Sequence, residues 1–374
     1  MTEKRFKQTG LGSFFGSPIY ERLVPRDHFL VQLNRVIDWD SFTAILLPAY
    51  KGLAEEGRPP YPPVMILKML VISYLYGFSE RQVEEATNMN LAIKEFVGLA
   101  VDEFAPDHSS LSEFNQRIRE ANGWQSFQAI GDDVLRQAQE AGIRLGKIQV
   151  VDSVHTQADV DNDADRERQQ QGQPPRDKQA QLVNKGRRRK TGPDGKQTMQ
   201  DVQYLGYKSH VSVNAETGLI TSLTPTGGSA PDNKQMPELL AHDAEVGAPA
   251  EIYAGDKAYD DTDLHVRLWA LGKHSALTLN DYRTADSNQH RQSWQRIKDS
   301  AEYQAGRAER YKIERKFGEA KRWHGFGRCR YLGLQRYGLQ AHLTALVLNL
   351  KRIVLLLTAG RLRPTKRVTQ VLAA

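Results

Sequence analysis

At Lys147 the sequence changes its period. Before it, apolar residues recur in short runs at helical spacing; after it, Ile148-Gln149-Val150-Val151-Asp152 is a short β-branched run of the kind found in buried strands. This break limits the possible folds more than any other feature. A chain that passes from helices to alternating strands and helices needs an all-helical part and a mixed α/β part, each with its own core. A length of 374 residues leaves room for two or three domains.

In the first part, Pro59, Pro60, Pro62 and Pro63 form a rigid lead-in to a helix predicted from Val64 to about Tyr76. Val64, Ile66, Leu67, Leu70, Val71 and Leu75 leave that helix little polar surface, so it should be buried, and Gly77 should end it. Ser79 to Gln82 fits a capping box that opens a polar helix. A short helix is predicted from Asn90 to Val97, and Ser110 to Glu113 reads as a second capping box. Residues 20 to 142 therefore read as all-helical, and residues 1–57 as a partly helical segment with a weaker signal.

The second part opens with the strand at Ile148. Residues 157–200 then hold almost no large apolar side chain but carry Asp-Asn-Asp-Ala-Asp, a glutamine run, Pro174-Pro175 and Gly186-Arg187-Arg188-Arg189-Lys190. Such a stretch is expected to be a mobile loop, because it lacks the apolar surface to offset its ordering entropy. Tyr204–Val213 and Leu219–Thr224 read as a hairpin closed at Gly218. Glu251–Asp256 and Ser275–Leu279 read as two more strands. Helices are predicted at Pro237–Val246, Asp260–Leu271, about Ser300–Arg322 and Leu339–Leu357. Five strands in the order β, β, β, α, β, α, β, α imply a mixed sheet, not a doubly wound parallel one.

The acids and bases of this second part suggest chemistry. Asp152 closes an apolar strand, where a charge is unfavourable unless compensated. It reads either as a cap on the next turn or as a functional carboxylate. Asp256 repeats the circumstance, and two such carboxylates on neighbouring strands would repel unless a divalent cation joined them. Further on, thirty residues from Arg307 to Arg336 hold ten lysines and arginines against three acids, a net of +7, where the whole chain carries +6. That run is either a solvated face or a surface for a polyanion. Within it Arg310, Glu314 and Lys321 lie within about 40° of one another on a continuous helix, with Arg307 on the same stripe. An i, i+4 ion pair explains Arg310 with Glu314 but leaves Lys321, Arg322, Arg328 and Arg330 unexplained. Three carboxylates among cations suit phosphodiester cleavage, in which two Mg²⁺ ions about 3.5–4 Å apart activate the nucleophile and stabilise the leaving oxygen.

Here the sequence resembles the DDE transposases of bacterial insertion sequences, closest to the insertion-sequence-five group. The resemblance rests on Pro60-Tyr-Pro-Pro-Val-Met-Ile-Leu-Lys-Met-Leu, Tyr74-Leu-Tyr-Gly-Phe-Ser and Pro106-Asp-His-Ser in the helical part. In the second part it rests on Tyr207-Lys-Ser-His-Val-Ser-Val-Asn-Ala-Glu-Thr-Gly-Leu-Ile, Gly255-Asp-Lys-Ala-Tyr-Asp260, and Arg310 to Lys321 followed by Gly325-Phe. The resemblance implies a ribonuclease-H-like five-stranded α/β catalytic domain preceded by an all-helical domain, with boundaries at 1–57, 58–142, 143–335 and 336–374. It implies Asp152, Asp256 and Glu314 as catalytic, metal-binding residues using Mg²⁺, with Mn²⁺ as a substitute. The implied partners are double-stranded DNA, as inverted-repeat ends and target, and a second copy of the chain as a homodimer. The family signature Y-x2-R-x3-E-x6-K is met at Arg310, Glu314 and Lys321, but Arg307 stands at the tyrosine position. Ser153 follows Asp152, and Ala258 stands where glycine is frequent.

Arg307, Arg310, Lys321, Arg322, Arg328, Arg330 and Lys257 are the expected DNA contacts, with the Arg187, Arg188, Arg189 and Lys190 cluster as a backbone contact or a merely solvated one. Trp323 and His324 suit either an unpaired base or helix-end packing. Lys208 and His210 read as strand-surface residues in preference to DNA contacts. The one cysteine, Cys329, excludes an internal disulfide and any cysteine-cluster zinc site, and the ten histidines show no metal spacing. Lys351 and Arg352 interrupt the apolar run Leu343–Leu357, and the first residues lack a signal-peptide core, so a cytoplasmic location without a membrane is expected. Two other functions fit the same residues: a DNA-binding protein that has lost cleavage, and a structure-selective nuclease.

Overall fold

Among the described residues before the first strand the regular elements are helical: α1 (Gly16–Leu23), α2 (Phe29–Val36), α3 (Phe42–Leu46), α4 (Pro63–Tyr76), α5 (Glu80–Met89), α6 (Leu91–Val97), α7 (His108–Asn122) and α8 (Gln125–Glu140). The computed structural model describes residues 6–10, 16–50, 59–191, 197–280 and 296–358. It divides into two units, residues 1–144 with 342–374, and residues 145–341.

In the first unit α4 is buried along most of its length, through Met65, Ile66, Leu67, Met69, Leu70, Val71, Ile72 and Tyr74. Gly77 ends it in the left-handed region at φ 72°, where a side chain would be strained. The capping box of α5 has both reciprocal bonds: the Gln82 amide donates to Ser79 Oγ at 3.3 Å and the Ser79 amide to Gln82 Oε1 at 2.9 Å. The start predicted at Ser110 is one turn late. Asp107, three residues earlier, caps α7 instead, accepting from the Ser109 amide at 2.8 Å.

The second unit is built on a sheet of six strands, one more than predicted: β1 (Ile148–Gln157), β2 (Gln181–Thr191), β3 (Gln197–Asn214), β4 (Ile220–Gly227), β5 (Ile252–Gly255) and β6 (His274–Leu277). The order is β2-β3-β1-β5-β6, with β4 paired to β3. β1, β5 and β6 are parallel, and β3 runs antiparallel to β1, β2 and β4. The long β3 uses its first half for β2 and its second half, from Tyr207, to lie between β1 and β4.

The extra strand comes from the polar stretch expected to be a mobile loop. Instead of a loop, that stretch forms α9 (Asn162–Gln170) and the β2–β3 hairpin. Its order comes from carboxylates rather than apolar bulk. Asp161 accepts from the Asp163 and Ala164 amides at the start of α9. Asp177, buried, accepts from Tyr207 Oη at 2.7 Å and from the amides of Gly333, Gln179 and Ala180. Hydrogen bonds to buried charged groups can replace the missing hydrophobic area.

Helices cover both faces of the sheet. On one, α10 (Met236–Glu245) and α11 (Thr262–Ala270) pack Met236, Leu239, Leu240, Leu264 and Leu268 with Val151, Tyr253 and Leu277. The other carries α12 (Ala301–Glu309), α13 (Tyr311–Trp323) and the first residues of α14 (Leu334–Thr358), where Tyr337 Oη meets Ser209 Oγ at 2.7 Å. α14 is long and apolar enough to cross a membrane, but 72% of its most apolar window is buried within the protein, as in a core helix.

The single helix predicted from Ser300 to Arg322 is two. The ladder breaks at Arg310, which ends α12 and begins α13 while keeping right-handed helical angles. Gly306 accounts for the position of α12. A side chain there would put a Cβ 2.5 Å from Ala276 Cβ and 3.0 Å from Ile252 Cγ2, so only glycine lets the helix lie this close to β5 and β6.

Candidate active site

Strand register brings the two aspartates level. Parallel β1 and β5 pair Ile148 with Ile252, Gln149 with Tyr253 and Val150 with Ala254. Carried two residues past the last pair, the same register sets Asp152, on the face of Val150, level with Asp256, whose charge acts on it. β1 is ten residues long and β5 four, so Asp152 stays inside the sheet, opposite Val211 of β3, while Asp256 lies just past the end of its strand. Asp256 accepts from the Ala258 amide at 2.8 Å and so caps a 3₁₀ turn, Lys257–Tyr259. Asp152 Oδ1 accepts from the Ser153 amide at 2.7 Å.

Burial pushes the Asp152 carboxyl up to about 7; the charges of Asp256 and Asp232 add to the rise, while the Ser153 hydrogen bond and Arg310 oppose it. The Asp152 carboxyl, inside the sheet and in the field of Asp256, thus resists ionisation, and a hard divalent cation with oxygen ligands would relieve it. The donor set fits such an ion. Its coordination would fall to Asp152 and Asp256.

Ala254 and Ala276, which Gly306 approaches, pair across β5 and β6 on the face that carries Asp152, so α12 and α13 lie on the same side of the sheet as Asp152. Arg310, at the break between these helices, acts electrostatically on Asp152. Glu314 stands one turn later, exposed, with no ion pair or hydrogen bond among the described residues; the expected i, i+4 pair with Arg310 is not made. Donor atoms of Asp152, Asp256 and Glu314 do not all come within 4.8 Å of one another. The structure sets the aspartates level on neighbouring strands and leaves Glu314 exposed on its helix, outside a shared coordination sphere.

The described trio that does meet that spacing is Glu84, Asp107 and His108, in the helical unit. Its bonds explain it without an ion. Glu84 accepts from both the amide and Nδ1 of His108 at 2.9 Å, and Asp107 caps α7, so the group ties α5 to the start of α7.

Lys208 and His210 do not lie on the strand surface, as expected, but are folded inward. Lys208 Nζ donates to Asp232 Oδ1 and to the Ala230 carbonyl, both at 2.9 Å. His210 is 0% exposed, with Nδ1 3.4 Å from Asp232 Oδ1 and Nε2 2.9 Å from Thr226 Oγ1. Burial lowers His210 to about 4, against the pull of Asp232, so the ring is neutral at physiological pH. Asp232, in the loop between β4 and α10, adds its charge to the field on Asp152, and sequence reasoning missed it. The signal for it was Lys208-x-His210, two polar residues pointing the same way from a buried strand.

The expected DNA contacts are scattered in environment. Arg307 is exposed over the Tyr303 ring, and Lys257 is exposed directly after Asp256. Lys321 is half-buried on α13 and Arg322 exposed. Arg328 is exposed but paired with Asp159 at 3.0 Å, and the amide of Arg330 is held by Gln340 Oε1 at 2.8 Å. Trp323 does not pack at the helix end. It is 62% exposed, with Arg322 5.2 Å over its ring, and the buried residue there is His324. Arg189 is exposed on β2; the side chains of Arg187, Arg188 and Lys190 lie outside the described residues, as does the basic tail beyond residue 358.

Two protein families match this chain. One, described as "Transposase domain (DUF772)", matches residues 18–117, and the other, "Transposase DDE domain", matches residues 167–350. The second includes Asp256 and Glu314 but begins after Asp152, whose place beside Asp256 rests on strand register. Among solved structures, the piggyBac transposase synaptic complex with hairpin DNA is 10% identical, covering 98% of this chain and 81% of that one at a TM-score of 0.43. The Mos1 transposase paired-end complex with left transposon end is 10% identical, covering 75% and 82% at 0.20. The two family matches occur in chain order on the helical part and the mixed α/β part and span most of the sequence: the chain belongs to the DDE transposases, enzymes of DNA cleavage and strand transfer.

Proposed function

We propose that this transposase belongs to the insertion-sequence-five group and moves an insertion sequence by binding its inverted-repeat ends, cutting them and joining them to target DNA. The observation that carries the proposal is the register of β1 with β5, which sets Asp152 level with Asp256 on neighbouring parallel strands. The same juxtaposition, with Glu314 on a helix that follows in sequence and packs on that face, supports a ribonuclease-H-like reading of the catalytic domain.

Asp152 and Asp256 would hold a divalent ion, Mg²⁺ or Mn²⁺, and Glu314 would be the third carboxylate of the set. Bound there, such ions lower the pKa of an attacking water or 3′-hydroxyl and neutralise charge at the phosphate. Arg310, beside Asp152, offsets the negative charge of the pair and faces incoming phosphate. Arg307, Lys321, Arg322, Arg328, Arg330, Lys257 and the Arg187–Lys190 segment hold the backbone of the DNA, a contact that positions without reading sequence. Trp323 offers its exposed ring to an unpaired base. The helical unit reads the ends, two copies assemble on DNA, and the enzyme works at the bacterial nucleoid.

The test is cleavage of DNA carrying the element's own ends, with Mg²⁺, by the wild-type chain and by Asp152→Ala. Nicking at the ends by the wild type, lost in the variant, supports the proposal. Equal cleavage by both removes it. Binding without cleavage would make the chain a recognition protein, and cutting of branched or hybrid substrates without preference for the ends would make it a nuclease.

A further inference from the structure

Glu314 stands on a boundary of α13. At about 100° per residue, the signature cations Arg310 and Lys321 flank it on one side, and both are half-buried. On its other side lie Tyr311, Arg315, Gly318 and Arg322, at the i, i+4, i+7, i+11 spacing of a single helix face, and all four are exposed. Tyr311, Arg315 and Gly318 have no place in the signature.

Two features of this face are left unexplained by the fold. The first is what its arginines touch. Glu319 is four residues from Arg315, within reach of an ion pair, yet it pairs with Lys316 at 3.7 Å, and Arg315 lies over the Tyr311 ring, 4.6 Å from its centroid. Arg322 lies over the Trp323 ring at 5.2 Å. Neither arginine has an ion pair or hydrogen bond among the described residues. Each guanidinium is held over an aromatic ring, and its N–H donors remain free. The second feature is Gly318. Glycine inside a helix is destabilising relative to alanine, and a Cβ here would meet nothing within 4 Å, so neither packing nor backbone angle demands it. It leaves a bare floor between Arg315 and Arg322, which stand about 10 Å apart along the axis, roughly three steps of a DNA strand.

We infer that this face is a second row of DNA contacts, a track for the sugar-phosphate backbone beside Glu314. Arg315 and Arg322 grip phosphates, which match the fork of a guanidinium, and Gly318 lets the backbone pass close to the helix. Tyr311 is a positioning residue that steadies Arg315 before a phosphate arrives. This rests on the proposed DNA-binding role of the basic segment.

The experiment measures binding of the full-length protein to a duplex carrying the element's end and to a scrambled duplex, by fluorescence anisotropy over a series of salt concentrations. Chelator is present so that no strand is cut, and melting temperatures are taken without DNA. Arg315→Gln is expected to lower affinity for both duplexes by about five- to tenfold near about 0.1 M salt and to reduce the salt slope by about one. Tyr311→Leu should lower affinity by about two- to fivefold, and Tyr311→Phe, which keeps the ring, should restore it. Gly318→Leu should melt no lower than the wild type and bind both duplexes more weakly. Wild-type affinity and slope in Arg315→Gln overturn the inference, as does wild-type binding by Gly318→Leu. A lowered melting temperature in Gly318→Leu also counts against it, since the fold itself would then need the glycine. If these variants bind as the wild type does while wild-type binding is steeply salt-dependent, only this row fails; a wild type without salt-dependent DNA binding removes the proposed function and the row with it.

Discussion

Asp152 is the residue on which the chemistry depends, and its environment sets a pH dependence. Burial and neighbouring acids raise its carboxyl to about 7, whereas a cation needs it ionised. Ion affinity and cleavage are therefore expected to level off above pH 7 and to fall by up to about tenfold per unit below it, where protons compete. A cleavage profile flat from pH 5 to 8 would contradict this. Asp243, in the core, makes a separate case. Burial raises it to about 6 against hydrogen bonds from Thr221, Ser212 and Tyr253. Its folded value lies above its unfolded one, so its contribution to stability is complete below about pH 4 and lost as pH rises through 6. Melting temperatures of the wild type should thus fall relative to Asp243→Asn between pH 4 and 6, with a constant gap above; a gap that does not change with pH would refute it.

At the scale of elements, some pieces were readable from local pattern and others were not. The β-branched run before Asp152, the hairpin closed at Gly218 and the capping box at Ser79 are local and form where predicted, but Asp152 does not close its strand: β1 runs on to Gln157 because β3 pairs with it that far. The 157–200 stretch was misread because its order depends on carboxylates meeting amides and hydroxyls far along the chain, such as Asp177 with Tyr207 and Gly333, and apolar counting cannot see that. Asp177→Ala should leave those buried donors unpaired, cost about 1–3 kcal/mol and speed hydrogen exchange in β2 and the first half of β3. Unaltered exchange would return the segment to a loop. The break at Arg310 escaped notice since neither proline nor glycine marks it; the nearest hint is Gly306, one turn earlier. Gly306→Val should force α12 away from Ala276 and Ile252, lower stability by about 1–3 kcal/mol and impair cleavage more than DNA binding, because Arg310 and Glu314 ride on the displaced segment. Full activity would show that the close approach is dispensable.

Over the whole molecule, charge and fold divide the work. Parallel β1 and β5 gather acids at one level of the sheet, while the chain's excess positive charge is concentrated between Arg307 and Arg336. That segment's role is legible in the sequence as charge alone; which of its residues lie exposed, as Arg322 and Trp323 do, needed the fold. If it lies along phosphates, binding should weaken steeply with salt, and Lys321→Ala should lower affinity across DNA sequences while reducing the salt slope by about one. A variant with changed sequence preference at unchanged affinity would assign Lys321 to base reading. The most direct test of the aspartate pair is a crystal soaked in Mn²⁺, with the ion located by anomalous scattering. The account predicts a peak bridging the carboxylates of Asp152 and Asp256 at about 2.0–2.2 Å. A well-ordered, Mn²⁺-saturated crystal with no density between them, or with the ion only at Glu84, Asp107 and His108, would contradict it.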